Sequence, residues 1–183
     1  MADKRYMMVV DSKRCIGCNA CVTECKREWD IPISTPRLRI QQSERGTFPG
    51  VFLDFTRRAC VQCDTAPCVE VCPTKASYKS AEGFVGIDYD KCVGCKYCIQ
   101  ACPYNAREPR KDIGAPEKCT WCEPRVKAGE LPVCVTKCPQ DALIFGDAND
   151  PTSDVTTALA KGAVPLFPEF GTDPRVLFIP YRR

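Results

Sequence analysis

Apolar positions in this chain come in short bursts separated by charged, proline and glycine positions, and none is long enough to span a bilayer. Val9 and Val10 predict a strand that runs into a charged turn, and Gly86 and Ile87 repeat the pattern ahead of Asp88–Asp90. Strands are also predicted at Ala76–Lys79 and Gly83–Ile87, flanking a Ser-Ala-Glu-Gly turn, and at Ala142–Phe145 after Pro139. Leu38–Gln41 and Val51–Phe55 bracket Arg45-Gly46 and Pro49-Gly50, which predicts a hairpin. Asp150-Pro151 reads as a helix cap with proline at the first helical position, predicting a short helix over Ser153–Lys161 ended by Gly162.

Cysteine changes this picture of a loop-rich chain. Sixteen cysteines form four groups and none lies outside them: Cys15, Cys18, Cys21 and Cys25; Cys60, Cys63, Cys68 and Cys72; Cys92, Cys95, Cys98 and Cys102; Cys119, Cys122, Cys134 and Cys138. Groups one and three read CxxCxxCxxxC, the spacing of bacterial two-cluster ferredoxins, in which three cysteines of a run bind one cluster and the fourth reaches another. Gly17 and Gly94 sit inside the first CxxC of those runs, where the lack of a Cβ lets the chain bend around a cube. The fourth cysteine is expected on the first turn of a helix, facing a neighbouring site. Pro73, Pro103 and Pro139 follow Cys72, Cys102 and Cys138, the CP ending of such runs, whereas Lys26 stands after Cys25. A disulfide framework does not demand this repeat, and zinc sites usually pair two separated CxxC units. Group four alone, with its wider spacing, resembles a zinc ribbon, and its company makes it a cluster site.

Length, composition and charge bound the rest. The 183 residues suffice for one ordinary domain or two small ones, and 16 prolines and 11 glycines leave a thin apolar core. Clusters are therefore expected to nucleate the fold and the apoprotein to be poorly folded. Net charge is +3, from 26 Lys plus Arg against 23 Asp plus Glu, which suggests no nucleic-acid partner. Counting about +2 for each oxidised core and about −4 for its thiolates moves the total to roughly −5, so the basic surplus reads as internal compensation. The pairs Lys26-Arg27, Arg57-Arg58 and Arg182-Arg183 read as solvated faces or cluster counter-charges. Histidine is absent, which excludes His-ligated haem, Rieske centres and a His general base, so no catalytic residue is assigned. No secretory signal or twin-arginine motif is read near Met1, so any membrane link is expected through a partner.

The four groups in this order, with CxxCDTAPCVEVCPTKASY from Cys60, CVGCKYCIQACPYNAR from Cys92 and KCTWC from Lys118, resemble the four-cluster iron-sulfur subunits of molybdopterin oxidoreductases of the DMSO reductase family. The polysulfide and thiosulfate reductase type is nearest, from about Tyr6 to Gly146. The resemblance implies an α+β fold of two nested ferredoxin-like two-cluster modules with a β-hairpin insertion and an irregular C-terminal tail. Residues 1–59 would form the first module with the insertion, 60–118 the nested second module, 119–146 the completion of the first, and 147–183 the helix and tail. It further implies four 4Fe-4S clusters: one on Cys15, Cys18, Cys21 and Cys138; one on Cys25, Cys119, Cys122 and Cys134; one on Cys60, Cys63, Cys68 and Cys102; one on Cys72, Cys92, Cys95 and Cys98. Trp121 is expected to pack over a cluster and exclude water. The apolar tail residues Leu166, Phe167, Phe170, Val176, Leu177, Phe178 and Ile179 are expected to cover the clusters in preference to docking a partner.

The implied mechanism is a relay between a molybdopterin catalytic subunit and an integral membrane quinone-binding subunit or cytochrome, with no direct membrane span. The implied location is the periplasmic side of the cytoplasmic membrane through partner subunits, with a cytoplasmic alternative. Cysteine spacing does not separate this from a free polyferredoxin or from the equivalent subunit of a formate dehydrogenase, hydrogenase or nitrite reductase system.

Overall fold

Met7–Val10 carries four consecutive apolar side chains because the strand that contains it is buried on both faces. In the computed structural model, which describes residues 4–181, that strand is the centre of the main sheet. The strands are β1 (Tyr6–Asp11), β2 (Leu38–Arg45), β3 (Phe52–Ala59), β4 (Ser77–Lys79), β5 (Val85–Ile87), β6 (Glu108–Arg110), β7 (Ala115–Glu117), β8 (Leu143–Asp147), β9 (Val164–Pro165) and β10 (Val176–Ile179). The helices are α1 (Ala20–Trp29), α2 (Pro67–Glu70), α3 (Tyr97–Gln100), α4 (Glu123–Lys127), α5 (Val133–Thr136) and α6 (Asp154–Ala160). The result is a mixed α and β arrangement of short elements.

The main sheet runs β8-β1-β10-β9, with β1 antiparallel to β8 and parallel to β10. Met7, Val9 and Ile179 face α6 through Val155 and Ala158, while Met8 and Val10 face a larger core containing the cysteine loops. The tail expected to be irregular thus contains a core strand. Four apolar residues between prolines gave no periodicity, and the partner of β10 lies at the other end of the chain. The helix expected over 153–161 begins at Asp154, because Asp150 accepts bonds from the Thr152 amide at 2.8 Å and hydroxyl at 2.7 Å and holds residues 151–153 as a turn.

Three further pairs are antiparallel: β2 with β3 in the register Leu38↔Ala59 to Arg45↔Phe52, β4 with β5, and β6 with β7. The base of the first pair is buried at Leu38 and Ala59, whereas Phe48 beyond its far end is exposed. After Cys72, Cys102 and Cys138 a proline forbids helix continuation, so α2, α3 and α5 last four residues each. Cys72, Cys102 and Cys138 therefore lie just past a helix rather than in its first turn, whereas Cys25 lies within α1. After Cys25 there is no proline, α1 continues to Trp29, and Lys26 Nζ donates to the carbonyls of Pro32 at 2.8 Å and Ile33 at 3.0 Å.

Candidate functional site

Loops of different groups converge. Cys15, Cys18, Cys21 and Cys138 line one cavity, Cys60, Cys63, Cys68 and Cys102 a second, and Cys72, Cys92, Cys95 and Cys98 a third. Cys25 faces Cys119, Cys134 and Cys122; burial and then these thiols push it far above the ordinary thiol range. Gly17 and Gly94 adopt φ of +70° and +67°, and a Cβ on either would run into Phe55 or the Gly114 carbonyl.

These sets suit iron-sulfur cubes. All sixteen cysteines are free thiols. Burial pushes the Cys134 and Cys63 thiols up to about 12, so crowded thiolates there require cationic metal beside them. Donors aimed at the sulfurs complete the fit. The amides of Ser77, Ala106 and Ala142 donate to Cys72, Cys102 and Cys138 at 3.3, 3.5 and 3.3 Å, each just after the fourth cysteine of a run or group. Trp29 Nε1 donates to Cys122 Sγ at 3.3 Å, and Arg107 Nη2 to Cys68 Sγ at 3.1 Å.

Other buried polar groups hold the loops together. Glu117, 1% exposed, accepts from Arg37 Nε at 3.0 Å, Arg110 Nη1 at 3.0 Å and Tyr89 OH at 3.2 Å. Gln62 donates to the Cys119 carbonyl at 2.9 Å and accepts from the Val85 amide at 2.7 Å. Tail residues run along the second cysteine loop: the amides of Asp64 and Thr65 donate to Asp173 and Thr172, and that of Arg175 to Val61. Trp121 is buried edge-on against Phe84 and Phe145, with centroids 6.3 and 5.2 Å away. Sequence reasoning missed Trp29, Gln62, Glu117 and Arg107. The one signal in the sequence was Lys26, whose place in a proline position lengthens α1 until Trp29 reaches Cys122. Arg182 and Arg183 lie outside the described residues.

Four sets of thiols largely withdrawn from water, with donors turned toward sulfur, define an iron-sulfur protein that carries electrons. A family model described as a 4Fe-4S dicluster domain matches residues 51–148, and a second of the same description matches 14–77. The chain belongs to the 4Fe-4S dicluster family and holds four 4Fe-4S clusters. It is 45% identical to a chain of the polysulfide reductase of Wolinella succinogenes, over 98% of this chain and 96% of that one. It is 42% identical to a subunit of the sulfite dehydrogenase of Allochromatium vinosum, over 96% of this chain and 83% of that one. With a subunit of the selenate reductase of Mesobacillus selenatarsenatis the identity is 39%, over 96% and 72%. Its role is that of an electron-transfer iron-sulfur subunit.

Proposed function

We propose that the chain passes electrons between a molybdopterin catalytic subunit and an integral membrane quinone-binding subunit or cytochrome, in a respiratory complex of polysulfide or thiosulfate reductase type. The observation that carries this reading is the burial of the four sets. In the set of Cys25, Cys119, Cys122 and Cys134 every thiol is buried, and in that of Cys60, Cys63, Cys68 and Cys102 only Cys102 is partly open. The other two sets each present one exposed cysteine, Cys18 or Cys95. Two largely buried inner sites and two more open outer ones make a wire with a contact at each end. A free carrier needs only one such contact.

Each set supplies four thiolates to one cluster, and a bound 4Fe-4S cluster provides a site that gains or loses one electron. The chain's residues do the rest: burial keeps water from the inner sulfurs, and amide, indole and guanidinium donors support the charge on them. The cross-membership of Cys25, Cys72, Cys102 and Cys138 ties the loops into two modules, with 60–118 nested between 1–59 and 119–146. The hairpin of β2 and β3 projects from the first module as an insertion. No helix among the described residues is long and apolar enough to cross a membrane, so the membrane contact belongs to a partner. The proposed location is the periplasmic side. The relatives act in systems named for polysulfide, sulfite and selenate, so substrate choice belongs to the catalytic partner.

Anaerobic purification from the native host, with iron, sulfide and molybdenum or tungsten counted, tests this. About sixteen irons per chain with a stoichiometric molybdenum or tungsten subunit is the expected result. The same iron in a solitary protein would favour a free polyferredoxin.

A further inference from the structure

Three buried cations have no carboxylate partner among the described residues: Arg57, Lys118 and Arg107, which are 2%, 1% and 3% exposed. Fully buried positive charge without a counter-ion is costly, so an anion must face each of them. Arg37, buried to a similar degree, has Glu117. The three cations have cysteine sulfur or the backbone beside it.

Their positions are not equivalent. Arg57 lines the cavity of Cys21 and Cys138, and its Nη2 donates to Cys119 Sγ at 3.8 Å, so it stands between the first set and the second. Lys118 Nζ donates to the Cys119 carbonyl at 2.9 Å and to the carbonyl of Val85, which lines the cavity of Cys60 and Cys68. It stands between the second set and the third. Arg107 donates to Cys68 Sγ at 3.1 Å and to Ser77 Oγ at 2.8 Å, and the Ser77 amide donates to Cys72 Sγ, so it stands between the third set and the fourth.

We propose that Arg57, Lys118 and Arg107 are gap cations: each lies between two consecutive clusters, raises the reduction potential of both, and lets neighbours hold electrons at the same time. The inference rests on the ligand sets proposed above. Each cluster carries about −2 when oxidised and about −3 when reduced, so adjacent reduced clusters repel across a low-dielectric gap. A fixed positive charge in that gap offsets the repulsion for both neighbours. The step adds one electron to a cluster, with no bond made and no proton moved. These side chains position charge and do not themselves carry the electron.

The test is a redox titration of the anaerobic holoprotein followed by electron paramagnetic resonance. In Lys118→Gln, two of the four midpoint potentials fall, each by about a tenfold loss in the reduction equilibrium, which is about 59 mV for one electron. Arg57→Gln and Arg107→Gln each lower two as well. Each shares one affected cluster with Lys118→Gln, and they share none with each other. Arg57→Lys and Arg107→Lys keep the charge and stay near the wild-type potentials. Lys118→Met substitutes for Lys118→Gln if the latter fails to assemble. Four retained clusters with unmoved potentials, or with all four shifted equally, would overturn the proposal and leave the ligand sets standing. Fewer than four clusters in the wild-type chain would instead remove the ligand sets.

Discussion

Trp29→Phe removes one hydrogen bond to sulfur while leaving an aromatic ring beneath Arg37, which lies 5.3 Å from the Trp29 ring, so it chiefly tests the indole N–H donated to Cys122 at 3.3 Å. A hydrogen bond to a charged acceptor contributes about 1.5–3 kcal/mol. Reduction would take the cluster proposed for Cys25, Cys119, Cys122 and Cys134 from about −2 to about −3, so the acceptor charge would grow by about half. The bond then favours the reduced form by about half its worth, about 0.75–1.5 kcal/mol, or about 30–65 mV for one electron. The sign is fixed: losing a donor destabilises the added negative charge, so the potential falls. The assay is a mediated redox titration of the anaerobic holoprotein, reading which of the four resonances moves. One potential should drop within that range while three stay. An unchanged potential with all four clusters present, or an upward shift, would refute the idea that this indole supports the sulfur.

Glu117→Gln leaves Arg37 and Arg110 without their shared buried carboxylate, and should lower holoprotein stability by about 3–5 kcal/mol, read from denaturant-induced loss of cluster absorbance. Ile179→Ala opens a gap in β10 against Met7, Val9 and Val155 and should cost about 2–5 kcal/mol in the same assay; no loss would mean that β10 is not part of the core. Gly94→Ala must hold φ near +67° with a Cβ driven into the Gly114 carbonyl, and should deplete the cluster proposed for Cys72, Cys92, Cys95 and Cys98, leaving about twelve irons per chain. Undiminished iron in that variant would show that the loop tolerates a side chain.

The cysteine loops were legible because their information is local: three thiols within seven residues and a glycine between them specify a bend whatever surrounds it. The prolines after Cys72, Cys102 and Cys138 likewise declared where short helices stop. Strand β10 was not legible, since its four apolar residues acquire meaning only from a parallel partner near the opposite terminus. The buried cations were legible only as a class, a basic surplus that compensates cluster charge, and not by position. Arg57-Arg58 read as solvated faces or cluster counter-charges, and the two-residue period of β3 divides the roles, sending Arg57 inward to Cys119 and Arg58 outward over the Phe167 ring, 5.0 Å from its centroid. Trp29 depended on α1 running to ten residues where α2, α3 and α5 have four.

Iron-edge anomalous diffraction from anaerobic crystals tests the cross-ligated four-cluster arrangement most directly, because it locates every iron and the sulfurs that hold it. About sixteen irons in four cubes are expected, with Cys138 completing the cluster of Cys15, Cys18 and Cys21, and Cys25 joining Cys119, Cys122 and Cys134. A cube held by Cys15, Cys18, Cys21 and Cys25 alone, or single metal ions in place of cubes, would contradict it.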